Sequence, residues 1–146
     1  MAEVRRADAT WNGNLLEGSG VVSASSSGAF RELPVTWASR TEQSDGRTSP
    51  EELIAAAHAA CYSMAFSGDL NRNGTPPEQL DVSASVTFDK LDKWTVVSSA
   101  LTVRGRVPGI DEARFREIAE GAKDNCPVSR ALKGNVELSV EATLEG

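Results

Sequence analysis

The cleanest hydrophobic pattern lies at the end of the chain, where Val136, Leu138, Val140, Ala142 and Leu144 alternate with Glu137, Ser139, Glu141 and Thr143. A period of two marks a strand with one packed face and one wet face. The same alternation runs through 80–91 and 94–107, with Val82, Ala84, Val86 and Phe88 on one side, and predicts a long hairpin. Further upstream, 4–35 falls into short β-prone pieces parted by Asn12-Gly13-Asn14 and Ser25-Ser26-Ser27-Gly28. Those turn clusters predict two or three antiparallel strands.

The pattern changes at Ser49-Pro50-Glu51-Glu52. A capping serine, a proline at the first helical position and a glutamate three residues after the cap form a capping box. The run that follows, LIAAAHAACYSMAFSGDL, has no strong breaker before Gly68 and predicts a helix of roughly 27 Å or more. Residues 71–78 read as a loop. Asp111 caps a second helix carrying Ala113, Phe115, Ile118, Ala119 and Ala122 at helical spacing and ending near Asp124; Pro127 then opens a short helix that Gly134 ends. The polar stretch 40–49 reads as a loop holding Arg40 and Arg47. The order is strands, long helix, hairpin, helix pair, strand, without repeats or interior linkers. It predicts one α+β domain over 1–146 with mainly antiparallel sheet.

Composition narrows the function classes. With 40% hydrophobic and 25% charged residues the 146-residue chain is expected to fold unaided. Its formal charge of -6 argues against nucleic acid as a partner, since that affinity comes from Lys and Arg neutralising phosphates. No apolar run reaches the ~18 residues of a membrane span, and 1–12 lacks a secretory layout, so the expectation is no membrane partner and a cytoplasmic location.

Two cysteines, Cys61 and Cys126, and a single histidine, His58, are too few for a four-ligand structural zinc site in one chain. That leaves thiol or disulfide chemistry. Cys61 sits inside the alanine-rich helix, where burial as a small hydrophobe is its ordinary explanation. Cys126, in Asp124-Asn125-Cys126-Pro127, stands just before a short helix whose free N–H groups favour a thiolate. His58, one turn before Cys61, is placed to act as a base, but a structural or solvated role is the more ordinary reading. Glu52 is explained by the cap and the helix dipole. Glu51 lies only about 80° around the helix from Cys61, yet about 15 Å along it, too far for contact within one straight helix. A second copy crossing antiparallel, with its dyad near Ala56, brings Glu51 of one chain to Cys61 of the other, and Ala55, Ala56, Ala57, Ala59 and Ala60 permit the close approach.

Two stretches, SPEELIAAAHAACYSMAFSGDL and AKDNCPVSRALKGNVELSVEATL, closely resemble the OsmC/Ohr family of osmotically inducible and organic hydroperoxide resistance proteins. HAACYSMA resembles the OsmC branch. The likeness extends to 11–20, FDKLDKW and VPGID, and so spans essentially the whole chain. It implies an α+β fold in an intertwined homodimer, with two long central helices between wrapping sheets and two sites at the subunit interface. It also implies a peroxidase acting on organic hydroperoxides, in which Cys61 attacks the peroxide, Cys126 forms a disulfide with it, and an Arg-Glu pair assists. Glu51 matches the family's glutamate. Arg40, in Trp37-Ala38-Ser39-Arg40, best matches its arginine, with Arg47 as the substitute. His58 falls where the Ohr branch has tyrosine and receives no catalytic task.

By the same resemblance the reductant is an external dithiol, in some members a lipoyl group on a carrier protein, and no metal, haem or flavin is required. In that chemistry a nearby Arg40 guanidinium lowers the Cys61 pKa while Glu51 holds it in place. An apolar lining that includes Met64 and Phe66 is expected to favour alkyl or fatty-acid hydroperoxides over hydrogen peroxide. The rival readings are a noncatalytic redox sensor or ligand-binding stress protein, and a structural stress protein with two inert cysteines.

Overall fold

A computed structural model describes residues 1–145. By its contacts the described chain divides into two compact units, the first over 1–53 and the second from 54 onward. The first carries three antiparallel strands in the order β1 (Asp8–Asn12), β2 (Ser19–Ser23) and β3 (Leu33–Val35), joined through the turn clusters foreseen from sequence.

After β3 comes a one-turn helix, α1 (Trp37–Thr41), where the sequence reading placed the start of a polar loop. Its cap is reciprocal: the Ser39 N–H donates to Thr36 Oγ1 and the Thr36 N–H to Ser39 Oγ, each at 3.0 Å. A serine hydroxyl thus performs the task that Glu or Gln performs in the usual box, so the usual sequence template passes over it. The consequence is that Arg40 stands on a capped helical turn.

The helix α2 (Pro50–Arg72) begins in the first unit and runs on into the second. Ser49 Oγ accepts from the Glu52 N–H at 3.1 Å, as expected, while the Glu52 carboxylate takes the Thr48 hydroxyl at 2.7 Å. The helix passes through Gly68, where a glycine costs about 1 kcal/mol relative to alanine. Burial outweighs that cost, because His58, Tyr62, Phe66 and Leu70, four residues apart, are all fully buried.

In the second unit, β4 (Gln79–Lys90) and β5 (Trp94–Arg106) form the long antiparallel hairpin. α3 (Glu112–Asn125) and α4 (Pro127–Leu132) follow, and β6 (Glu137–Leu144) closes the sheet in the order β4-β5-β6. β6 runs parallel to β5, so this sheet is mixed and not antiparallel throughout. The helix pair is the reason: a crossover of that length returns the chain to the same end of the sheet, which a tight turn cannot do.

The core of this unit joins Tyr62, Phe66 and Leu70 of α2 to Leu101 and Val103 of β5 and to Phe115, Ile118, Ala119 and Ala122 of α3. The Phe66 ring lies 5.6 Å from that of Tyr62 and 5.1 Å from that of Phe115, and the Tyr62 hydroxyl donates to the Ala119 carbonyl at 2.8 Å. Gly105 lets α3 close on the sheet, since a Cβ there would meet the Phe115 ring at 2.8 Å. Among the described residues no helix is long and apolar enough to cross a membrane.

Candidate active site

Cys126 is the hinge between α3 and α4, serving as C-cap of the first and N-cap of the second. A residue that precedes proline is driven out of the helical region, and Cys126 accordingly has φ -55° and ψ 126°. Pro127 then restarts the helix at its first position, where its missing N–H goes unneeded. This turn carries the Cys126 side chain into the interior, fully buried, toward the half-buried Cys61 of α2.

Both thiols are free, and they lie close enough for Cys126 to act on the titration of Cys61. The backbone N–H of Val128 also lies near the Cys61 thiol and acts on it. That N–H is one of the donors a helix start leaves unsatisfied. Sequence alone points such donors at Cys126; the structure sets this one near Cys61.

Burial pushes the Cys61 thiol up, the Val128 N–H pulls it down, and the neighbouring Cys126 pushes it up again, with a raised pKa as the net result. Among the described residues of the second unit, no cation is a cause of this shift. For Cys61 to react as a thiolate near neutral pH, positive charge has to be supplied to it.

The first unit holds a built guanidinium–carboxylate pair. Arg40 Nε donates to Glu51 Oε1 and Oε2 at 3.0 and 3.2 Å, and Nη2 donates to Oε2 at 3.0 Å. Glu51 is buried, whereas the Arg40 side chain is 31% exposed and lies 5.8 Å from the centre of the Trp37 ring. Arg47 instead pairs with Asp45 at 3.4 Å on the surface. Glu51 in the first turn of α2 and Arg40 at the end of α1 thus meet in a two-point geometry that a lysine could not reproduce.

His58 does not serve Cys61. Its Nδ1 lies 2.6 Å from Ser99 Oγ and its Nε2 lies 2.8 Å from Ser129 Oγ, and all three residues are buried. Sequence reading reached the structural role of His58 but missed both serines; the four-residue stripe His58, Tyr62, Phe66, Leu70 was the available signal for its burial. Phe66 is also misplaced in the sequence reading, because it is wholly buried in the core and lines no surface. Met64 is 70% exposed and borders an open cleft with Ser67, Pro76, Pro77 and Leu80.

Burial pushes the His58 pKa below its ordinary value of 6.5, and neither serine partner is ionisable. The unfolded chain therefore takes up the proton first as pH falls. This contribution to stability is fully present above about 6.5 and is lost as pH drops through that value toward the folded pKa. Since His58 is the only histidine, urea midpoints between about pH 7.5 and 5.5 are expected to fall in the native protein and to stay level in His58→Gln over the same window. Equal slopes in the two proteins would exclude His58 as the titrating group.

Residues 43–141 match the sequence profile described as OsmC-like protein. The chain is 41% identical over 138 residues to the protein named Peroxiredoxin OsmC of Escherichia coli (strain K12), covering 94% of this chain and 95% of that one. It is 28% identical over 104 residues to the organic hydroperoxide resistance protein OhrA of Bacillus subtilis (strain 168), covering 70% and 72%. In three dimensions it resembles the crystal structure of the organic hydroperoxide resistance protein OhrB of Bacillus subtilis, with a TM-score of 0.74 over 94% of this chain and 98% of that one at 21% identity, which speaks to the fold.

Proposed function

The chain belongs to the family of OsmC-like proteins, and from that premise we propose that it is a thiol peroxidase that reduces organic hydroperoxides to alcohols in oxidative and osmotic stress defence. The observation that carries this reading is the nearness of two free thiols, Cys61 and the buried Cys126, with Cys126 and the Val128 N–H both acting on the Cys61 thiol.

In the proposed cycle the Cys61 thiolate attacks the distal peroxide oxygen. The O–O bond breaks, the alkoxide leaves and takes a proton as the alcohol, and Cys61 becomes a sulfenic acid. The Cys126 thiol attacks that sulfur, an S–S bond forms, and the sulfenic oxygen departs as water. An external dithiol, of which a lipoyl group on a carrier protein is one form, then reduces the disulfide by exchange. No metal or organic cofactor enters these steps.

The charge that Cys61 needs is assigned to Arg40, held by Glu51, and supplied from a second copy of the chain. The helix span between Glu51 and Cys61, roughly 15 Å, favours that source over the same chain. Ala56, Ala57, Ala60 and Met64 form an exposed small and apolar stripe on α2 that suits close helix approach in a homodimer. Met64 offers alkyl hydroperoxides a contact that hydrogen peroxide lacks.

The test is turnover of cumene hydroperoxide and of hydrogen peroxide with dihydrolipoamide or dithiothreitol. Native protein is expected to cycle, with the organic peroxide preferred by about tenfold or more, equivalent to ~1.4 kcal/mol. Cys126→Ser is expected to react about once and then lose activity as its sulfenic acid oxidises further. Silence of the native protein with every dithiol would leave a noncatalytic redox sensor or ligand-binding protein in its place.

A further inference from the structure

The geometry points to the buried Ser99–His58–Ser129 hydrogen-bond chain as the device that positions Cys126 for disulfide formation with Cys61. This inference rests on the two-cysteine reading above and gives His58, Ser99 and Ser129 a positioning role in its second step.

α4 spans only six residues and has no side-chain hydrogen bond at its cap. A helix that short has almost no stability of its own, so its place is set by what holds it from outside. Cys126 is its N-cap and Ser129 its third residue, and Ser129 Oγ is fixed to His58 Nε2 at 2.8 Å. His58 lies on α2 one turn before Cys61, and its other nitrogen is fixed to Ser99 Oγ of β5 at 2.6 Å. The chain of contacts therefore links the strand, the helix that bears Cys61 and the helix that Cys126 caps. A neutral imidazole donates from one nitrogen and accepts at the other, so one serine accepts and the other donates, and among the described residues no buried side-chain nitrogen or oxygen is left without a partner. Exposures of 0% for His58 and Ser99 and 1% for Ser129 mean that water does not replace a lost bond.

A disulfide tolerates little misplacement, since its Cβ atoms must lie within roughly 3.5–4.5 Å of each other. Freeing Ser129 lets the first turn of α4 drift, and Cys126 drifts with it. The observable consequence is a lower effective concentration of one thiol at the other, which is a property of the folded state.

This is measured by equilibrating full-length protein with reduced and oxidised glutathione, in which one oxidised glutathione is reduced to two thiols for each Cys61–Cys126 bond formed. Ser129→Ala and His58→Asn are expected to lower the effective concentration at least about tenfold, or ~30 mV in potential. His58→Gln is expected to stay within about threefold of native. The glutamine side-chain amide reaches where Nε2 reaches, toward Ser129, whereas the asparagine amide reaches only where Nδ1 does, toward Ser99. A role in general stability alone, weakening reduced and oxidised forms equally, would leave all these ratios unchanged.

Ser129→Ala removes a single oxygen atom, and a thermal melt of the variant is the check that it is folded. Native-like effective concentration in folded Ser129→Ala, or equal losses in His58→Asn and His58→Gln, overturns the inference. A parallel arm with cumene hydroperoxide separates it from the peroxidase reading. Native thiols that ignore peroxide but respond to these substitutions in glutathione sink the peroxidase and keep the positioning chain; normal peroxide turnover with unaltered ratios does the reverse.

Discussion

Cys61→Ser is expected to consume organic hydroperoxide no faster than buffer does, a loss on the order of 10³-fold or more, equivalent to about 4 kcal/mol of barrier. The reacting species is a thiolate, and a serine hydroxyl is scarcely ionised near neutral pH. The substitution is mild in other respects. A serine oxygen can accept from the Val128 N–H that lies near the Cys61 thiol, and the position is only half-buried. Thermal stability is therefore expected to change by no more than about 1–2 kcal/mol, so a dead variant reports on chemistry and not on unfolding. Residual turnover above a few per cent in Cys61→Ser would move the peroxidatic role to Cys126, and single-turnover mass spectrometry of the oxidised site would show it.

The second large effect is expected at Arg40 and Glu51. Arg40→Ala removes the proposed source of positive charge for Cys61, and the first oxidation step near neutral pH is expected to slow by about 10²-fold, in line with the loss of one well-placed electrostatic donor. Arg40→Lys keeps the charge but loses the fork of three contacts to Glu51, and an intermediate loss of about tenfold is expected. Raising the pH is expected to recover part of both losses, because the thiolate then forms without help. Glu51→Gln leaves the guanidinium without its counter-charge and is expected to cost about 1–3 kcal/mol of stability as well, the carboxylate being buried and the arginine a third exposed.

The same variants decide where the charge comes from. Chains carrying Cys61→Ser are co-expressed with chains carrying Arg40→Ala, each inactive or nearly so alone. If each site joins Cys61 of one copy to Arg40 of another, the mixed dimer contains one complete site, and about half of native activity per dimer returns. If Arg40 serves Cys61 of its own chain, mixing restores nothing.

Period-two alternation in 80–107 and 136–144 and the capping serine before Pro50 were enough to place the long hairpin, the last strand and the long helix, because each depends on local backbone preference and on which face is apolar. The Cys-Pro pair made the break between α3 and α4 equally legible, since proline restricts the residue before it. The turn that carries Arg40 was missed for a local reason, a Thr36–Ser39 cap that lies outside the usual spelling. The sheets are mainly antiparallel as expected, and the parallel setting of β6 is not legible for a non-local reason, because an alternating strand pairs equally well in either direction.

By itself the sequence determined the elements, the two thiols, the Pro-Glu start of α2 and the family resemblance, all of which are written in neighbouring residues. Only the tertiary structure decided that the Val128 N–H lies near Cys61, that Arg40 and not Arg47 holds Glu51, that Phe66 is core, and that His58 binds Ser99 and Ser129, 41 and 71 residues away. Contacts over such separations depend on how sheet and helices pack, and no local pattern of polar and apolar residues records which hydroxyl a buried imidazole will meet.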